Sequence, residues 1–276
     1  MKTYKGKAIY NPSGKAGEYS QWACNFYTGC SNGCTYCYCK KGVMASTWSD
    51  KPKLKACFKD ENHALEVFKK ELMANLPELQ KHGLFFSFTT DPMLSKTITL
   101  TLASLRICND NFVPVKILTK RTDWIGGTHF AFPFDKLNQN IPFNFGRNRI
   151  AFGFTLTGHD ELEPSASPNE DRIEAMKKLH NAGFKTWASI EPIISFYSSF
   201  QMIVKTIGFC DLYKIGLKSG VKYDKQDAKY FIEKVIEAVG DSAKIYFKDS
   251  LLEQAGVNRE DLPKNCVGRD YNLFTN

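Results

Sequence analysis

Cys30, Cys34 and Cys37 stand at C-x3-C-x2-C spacing in the stretch FYTGCSNGCTYCYCKKG, residues 26–42, on one loop rich in glycine and tyrosine. Three thiolates so spaced can each ligate one iron of a [4Fe-4S] cube and leave the fourth iron without a protein ligand. An open iron is a seat for a small molecule. Zinc is the competing occupant, but a structural zinc wants four closed ligands and normally draws its second pair from another C-x2-C or H-x-H element. No such second pair is present in the sequence. Cys39, two residues beyond Cys37, could supply a fourth ligand, act as a redox-active thiol beside the cluster, or pack as a small buried hydrophobe.

The chain that must position this loop has 276 residues, 43% of them hydrophobic, enough for one large α/β domain or at most two smaller ones. The expected organisation is a single domain over 1–276, with a core of about 20–220 and a C-terminal extension of about 221–276. Runs such as GLFFSF and ASIEPII are too short to span a bilayer, and the N-terminal MKTYKGKAIYNPSGK has no apolar signal region. A soluble, cytoplasmic monomer with no membrane partner is expected. Nine cysteines, an odd number, fit reduced thiols used for metal better than a disulfide framework. Residues 1–60 hold ten lysines against Glu18, Asp50 and Asp60, so most of the net charge of +8 surrounds the cysteine loop. A polyanion such as nucleic acid is one partner suited to that rim, and an ordinary solvated lysine face is the other reading.

Beyond the loop, strand-like runs at 84–89, 114–119, 150–156, 185–191, 211–216 and 243–247 alternate with helical stripes. The stripes are Leu65, Phe68, Leu72, Leu76 and Leu79, then Ile173, Met176 and Leu179 before Gly183, then Phe231, Val235 and Val239. Repeated β/α units predict a parallel sheet, open or closed into a barrel, with functional residues at the C-terminal ends of its strands. Residues 122–149 break the rhythm with Trp124, Phe130, Phe132, Phe143 and Phe145 among Gly, Pro and Asn. They read as an inserted loop, a candidate lid flanked by Arg121, Arg147 and Arg149.

The cysteine spacing, with Tyr36 just before the third thiol, resembles the radical S-adenosylmethionine superfamily. Together with FSFTTDPM, VKILTKR and the run from IAFGFTLTGHDELEPSASPNEDR to ASIEPI, it is similar to the branch of spore photoproduct lyase and DNA repair photolyase-like proteins, and to related phage-encoded radical proteins. The motifs cover residues 26 to about 195. The resemblance implies a partial (β/α)6-type TIM barrel and two cofactors, a [4Fe-4S] cluster held by Cys30, Cys34 and Cys37, and S-adenosyl-L-methionine. Reductive cleavage of the latter would give a 5'-deoxyadenosyl radical that abstracts hydrogen from substrate. The resemblance also implies an electron donor such as flavodoxin or ferredoxin.

Residue by residue, it points to Tyr36 beside the cofactor, to Thr89, Thr90 and Asp91 as acceptors for the methionyl ammonium, and to Lys120 for its carboxylate. Thr155 and Thr157 would meet the ribose hydroxyls. Glu191, a carboxylate in an apolar strand and costly there unless paired, would face cofactor or substrate, and Cys39 is the second candidate for a part in catalysis. Each has a plainer reading: a turn aspartate, a solvated lysine, ordinary strand threonines. The cysteine hydrogen donor of spore photoproduct lyase has no matching motif at Cys57 or Cys108. Three functions stay open: a radical enzyme on a nucleic acid or nucleotide, one on a small metabolite or peptide, and a non-catalytic iron-sulfur or zinc module.

Overall fold

A computed structural model of the chain describes residues 3–125 and 146–275. The chain divides into two compact units, one of Met1–Ala151 with Leu162–Ser167 and the other of Phe152–Glu161 with Pro168–Asn276. The division falls within the strand Ile150–Thr155. Among the described residues no helix is long and apolar enough to cross a membrane.

The first unit contains β1 (Ile9–Tyr10), β2 (Ala23–Cys24), a hairpin of β3 (Tyr27–Thr28) with β4 (Lys53–Leu54), then α1 (Glu61–Ala74), α2 (Leu76–His82), β5 (Leu84–Phe86), α3 (Ile98–Asp110) and β6 (Val115–Thr119). β2, β5 and β6 pair in parallel, Ala23 opposite Phe85 and Phe85 opposite Lys116, while β1 runs antiparallel to β2. Because strand side chains alternate between faces, Phe86 turns to the helices and Phe85 away from them. Phe86 meets the rings of Phe26 and Phe68 at 6.3 and 6.1 Å, whereas Phe85 meets Tyr19 and Phe88 at 5.9 and 4.5 Å. Lys116 shares the Phe85 face and is buried, its Nζ reaching the Tyr19 carbonyl at 3.5 Å. Burial pushes its amine down to about 8. The stripe from Leu65 to Leu79 predicts a continuous helix, but Pro77 lacks the N–H that a helix interior needs. The chain breaks at Asn75 and restarts with the proline in the first turn of α2.

In the second unit the last four residues of β7 (Ile150–Thr155) are followed by α4 (Asn169–Asn181), β8 (Lys185–Ile193), α5 (Phe196–Val204), β9 (Leu212–Leu217), α6 (Lys225–Val239), β10 (Lys244–Phe247) and α7 (Asp249–Ala255). β8, β9 and β10 are parallel, with Leu212 opposite both Trp187 and Lys244. Ile173, Met176 and Leu179 of α4 and Phe231, Val235 and Val239 of α6 are buried, as their spacing predicts. The six long strands lie within two residues of the expected runs except β5, which ends at Phe86 instead of 89. There Ser87 Oγ bonds the Thr90 carbonyl at 2.7 Å and turns the chain out of the sheet. The architecture is mixed α/β with mostly parallel strands. Most of the candidate lid, 126–145 with Phe130, Phe132, Phe143 and Phe145, lies outside the described residues.

β1 is two residues long, too short to hold its register alone, and α1 supplies the missing anchor. Glu71 accepts from the backbone N–H groups of Lys7, Ala8 and Ile9 at 2.7, 3.0 and 2.8 Å. Glu71→Ala would strand donors at Ala8 and Ile9, both fully buried, and should lower the unfolding free energy by about 3 kcal/mol in urea titration. An unchanged midpoint would mean that β1 is held by its strand pairing.

Candidate cluster and cofactor site

The loop between β3 and β4 carries all three cysteines of the motif. Gly33, at φ +74°, lets the backbone reverse between Cys30 and Cys34. Cys30 N–H bonds the Ser49 carbonyl at 3.0 Å, and Cys37 N–H reaches the Cys34 carbonyl at 3.4 Å. All nine cysteines are free thiols. Burial pushes the Cys30 thiol up to about 12 and raises that of Cys34, where Lys120 opposes the rise. Cys37 differs: a hydrogen bond from the Cys39 thiol holds it down to about 6 against the pull of burial. Cys39 itself is buried, 3.6 Å from the Phe88 carbonyl.

Asp91 fastens this loop. Its Oδ1 accepts from Met93 N–H at 3.0 Å and Thr119 Oγ1 at 2.7 Å, and its Oδ2 accepts from Asn32 Nδ2 and Lys120 N–H, both at 2.8 Å. A carboxylate has about four lone-pair sites, so the Asp91 oxygens are full. The residue is only 6% exposed. Its part in this geometry is to tie Asn32, inside the cysteine motif, to the ends of β5 and β6, and the reading of Asp91 as an acceptor for a cofactor cation gives way to that.

A second fastening comes from Leu162–Ser167, the strap by which the chain returns to the first unit. Leu162 accepts from Thr35 N–H at 2.9 Å, and Ser165 N–H donates to the Asn32 carbonyl at 3.2 Å. Ser167 N–H bonds the Lys120 carbonyl at 3.0 Å, and Arg121 Nη1 the Ser165 carbonyl at 2.5 Å. Within the strap, Glu163 has a fully buried side chain. It accepts a hydrogen bond from Tyr36 Oη and lies 3.7 Å from Lys120 Nζ, which stands 5.2 Å from the centre of the Tyr36 ring. Burial, helped by Glu163, keeps the Tyr36 phenol protonated well above its ordinary range. Lys120 is thus an ion-pair partner of Glu163, not a solvated lysine.

The neighbouring threonines differ. Thr89 Oγ1 donates to the Tyr27 carbonyl at 2.5 Å. Among the described residues, Thr90 Oγ1 and Asn32 Oδ1 are buried with no hydrogen-bond partner. Buried polar atoms are normally satisfied, so two unmatched oxygens flanking Asp91 suit a bound group that brings donors. No three His, Cys, Asp or Glu side chains among the described residues converge as they would around one ion. Thiolates around a four-iron cube each face a different iron, so convergence on a point is not what that group requires. The donor set and the two oxygens fit a cluster and an ammonium-bearing cofactor.

In the second unit, Thr157 is fully buried, and its Oγ1 accepts from His159 N–H at 3.3 Å. It closes the turn that leads to His159. Thr155, at the end of β7, is 5% exposed, and its carbonyl accepts from Arg172 Nη1 at 2.8 Å. Glu191 is paired: both carboxylate oxygens meet Lys248 Nζ, at 3.0 and 3.2 Å. Lys248 is 3% exposed in its side chain and Glu191 20%. The pair crosses β9 at Gly216, where an added Cβ would stand 2.6 Å from Lys248 Cδ and 2.9 Å from Glu191 Cδ. Only glycine leaves room for it. Trp124, offered as a stacking ring, is 2% exposed with its Nε1 bonded to the Arg121 carbonyl at 2.8 Å, so it packs the first unit and presents no face to a base.

Superposition on solved structures identifies the architecture. Spore photoproduct lyase, solved in complex with dinucleoside spore photoproduct, matches at a TM-score of 0.57 and 14% identity over 83% of this chain and 77% of that one. The fold is that of the radical S-adenosylmethionine enzymes. SuiB of Streptococcus suis, solved bound to S-adenosylmethionine, matches at 0.50 and 12% identity over 82% of this chain and 51% of that one. In sequence, an uncharacterized protein of Methanocaldococcus jannaschii is 26% identical over 217 residues, 76% of this chain and 74% of its own. No family model matches the chain.

The motif spacing picks out the cysteine loop but not every residue packed around it. Glu163, the rest of the strap, and Lys248 lie outside the residues that the motif spacing singles out. For Glu163 the signal is an acid between Leu162 and Pro164 in an otherwise small-residue run. Lys248 has none.

Asp91→Asn would turn one acceptor oxygen into an N–H2 facing donors. Protein stability should fall by about 3 kcal/mol in chemical denaturation, and iron uptake should fall with it as Asn32 is released. Full iron uptake would show that the loop holds its shape without Asp91. Lys248→Met alone would leave the Glu191 carboxylate without its cation and should destabilise by about 3 kcal/mol, while Lys248→Met with Glu191→Gln should recover most of the loss. Additive losses in that cycle would mean that the two side chains do not depend on each other.

Proposed function

We propose that the protein is a radical S-adenosylmethionine enzyme, with Cys30, Cys34 and Cys37 as ligands of a [4Fe-4S] cluster. The observation that carries this reading is the three-thiol loop, fastened by Asp91 to the ends of parallel strands beside two buried oxygens that lack partners. When bound and reduced, the cluster supplies the electron that cleaves S-adenosylmethionine to a 5'-deoxyadenosyl radical, which abstracts hydrogen from substrate. The chain's part is to bind, orient and exclude water. Thr90 Oγ1, with Thr89 beside it, would accept from the methionyl ammonium. Lys120, held by Glu163 and Tyr36, would meet the methionyl carboxylate. Thr155 is a candidate for a ribose hydroxyl. Glu191, held in place by Lys248, would present a carboxylate to substrate. The electron would come from a small carrier of the flavodoxin or ferredoxin kind.

For substrate we favour a nucleic acid or nucleotide. The support is the lysine-rich stretch of residues 1–60 around the cysteine loop and the nucleoside-derived ligand of spore photoproduct lyase. Reconstituted without oxygen, the protein should hold about four irons and four sulfides per chain. With dithionite and S-adenosylmethionine it should release 5'-deoxyadenosine, and the Cys30, Cys34 and Cys37 triple alanine variant should do neither. A full cluster in that variant would refute the ligand set, and intact cofactor over a reduced cluster would leave only a binding module. Oligonucleotide retardation should be seen at low salt and weaken steeply as salt rises. No retardation at low salt would point to a small metabolite or peptide.

A further inference from the structure

Three side chains of the second unit form a hydrogen-bonded chain for which the proposed radical chemistry has no use. Glu161 Oε1 lies 2.7 Å from His159 Nδ1, and His159 Nε2 lies 2.9 Å from Ser198 Oγ. An ionised carboxylate only accepts, so Nδ1 carries the imidazole proton and Nε2 is left as an acceptor. The Ser198 hydroxyl therefore donates to Nε2. Ser195 Oγ, 2.9 Å from Ser198 Oγ, then points its own proton at the Ser198 oxygen. The Ser198 hydroxyl also lies 3.2 Å from the Ser195 carbonyl, a second and longer acceptor within its own helix cap, and the order through Nε2 ends at a serine oxygen facing a base. The His159 hydrogen bond holds the Glu161 carboxyl below its usual range.

The local fold builds this contact from two elements. Gly158, at φ +71°, turns the chain after β7 so closely over α5 that an added Cβ would stand 3.1 Å from Ser198 Cβ. On the other side, Ser195 caps α5 by accepting from Ser198 N–H at 3.0 Å. That cap is complete without His159. Helix formation explains Ser195; it does not explain an imidazole from another loop seated on Ser198. Both elements follow the C-terminal ends of their strands, β7 and β8, the end at which β/α folds carry their chemistry. Ser198 is half-buried and Tyr197 beside it is 76% exposed, so a small reagent can approach from solvent.

We propose that Ser198 is a nucleophile, with His159 as its general base and Glu161 as the group that fixes the imidazole, giving the protein an acyl-transfer activity toward small carboxylic esters. Ser198 Oγ bonds to the carbonyl carbon as its proton passes to His159 Nε2. The same proton goes to the leaving alkoxide as the ester C–O bond breaks. Water then attacks the acyl-serine, gives a proton to Nε2, and releases the acid as that proton returns to Ser198. Glu161 is two-thirds exposed, so its hold on the ring is weaker than that of a buried acid and turnover will be slow. The step needs neither cluster nor S-adenosylmethionine and stands apart from the function proposed above.

The test is a fluorophosphonate probe applied to the full-length protein, with the adduct located by peptide mass spectrometry. Labelling is expected at Ser198, absent in Ser198→Ala, and at least about a hundredfold slower in His159→Gln, the usual span of general-base assistance. Thermal melts establish that both variants are folded. The wild type needs no such check, and failure to label Ser198 in it overturns the proposal, leaving the cluster as an elaborate helix cap. Equal labelling rates in wild type and folded His159→Gln overturn it as well.

Discussion

The carboxylate of Asp91 is the point on which the first unit's site depends. Four donors from three separate places, a cysteine-loop side chain, the chain just after Asp91, and the end of β6, converge on two oxygens. A loop with three glycines and no regular structure at the thiols could take many shapes. Binding one of its side chains to a buried, acceptor-only group removes most of them. The cysteines owe their setting to a residue that is not a cysteine, and that residue owes its own place to the strands on either side.

The second unit reaches order by a different route. It contains a charge pair matched within the unit, Glu191 with Lys248 across Gly216. A pair of this kind adds little net stability compared with an apolar pair of the same size, yet separating its members is costly. It fixes where the ends of β8 and β10 stand with respect to β9. Such pairing gives geometric definition more than strength.

Much of the fold was legible in the sequence because β/α repeats write their periodicity plainly. The stripe Phe231, Val235, Val239 and the run Ile150–Thr155 say helix and strand without help from the rest of the chain. The helix expected from Leu65 to Leu79 misleads because its apolar spacing runs unbroken through Pro77, and spacing does not register a missing N–H. The cysteine loop stands out in the sequence by the spacing of its three thiols. Asp91, Thr157 and Lys120 were visible as polar residues at strand ends, but their partners were not. Whether an aspartate faces a ligand or four protein donors depends on Asn32 and Thr119, which are far from it in sequence. Glu163 and Lys248 were missed for the same reason, because pairing between distant residues leaves no local pattern.

The strap Leu162–Ser167 bears on how the protein comes into being. The cysteine loop leaves the ribosome early, but the segment that latches it is made only after the chain has passed into the second unit and come back. Until residue 167 emerges, Asn32 and Thr35 have no strap to hold, and the thiols sit on an unlatched loop. Iron delivered to the nascent chain would meet that loose form, and iron delivered to the finished protein would meet the fastened one. No single cut separates the two units as continuous pieces.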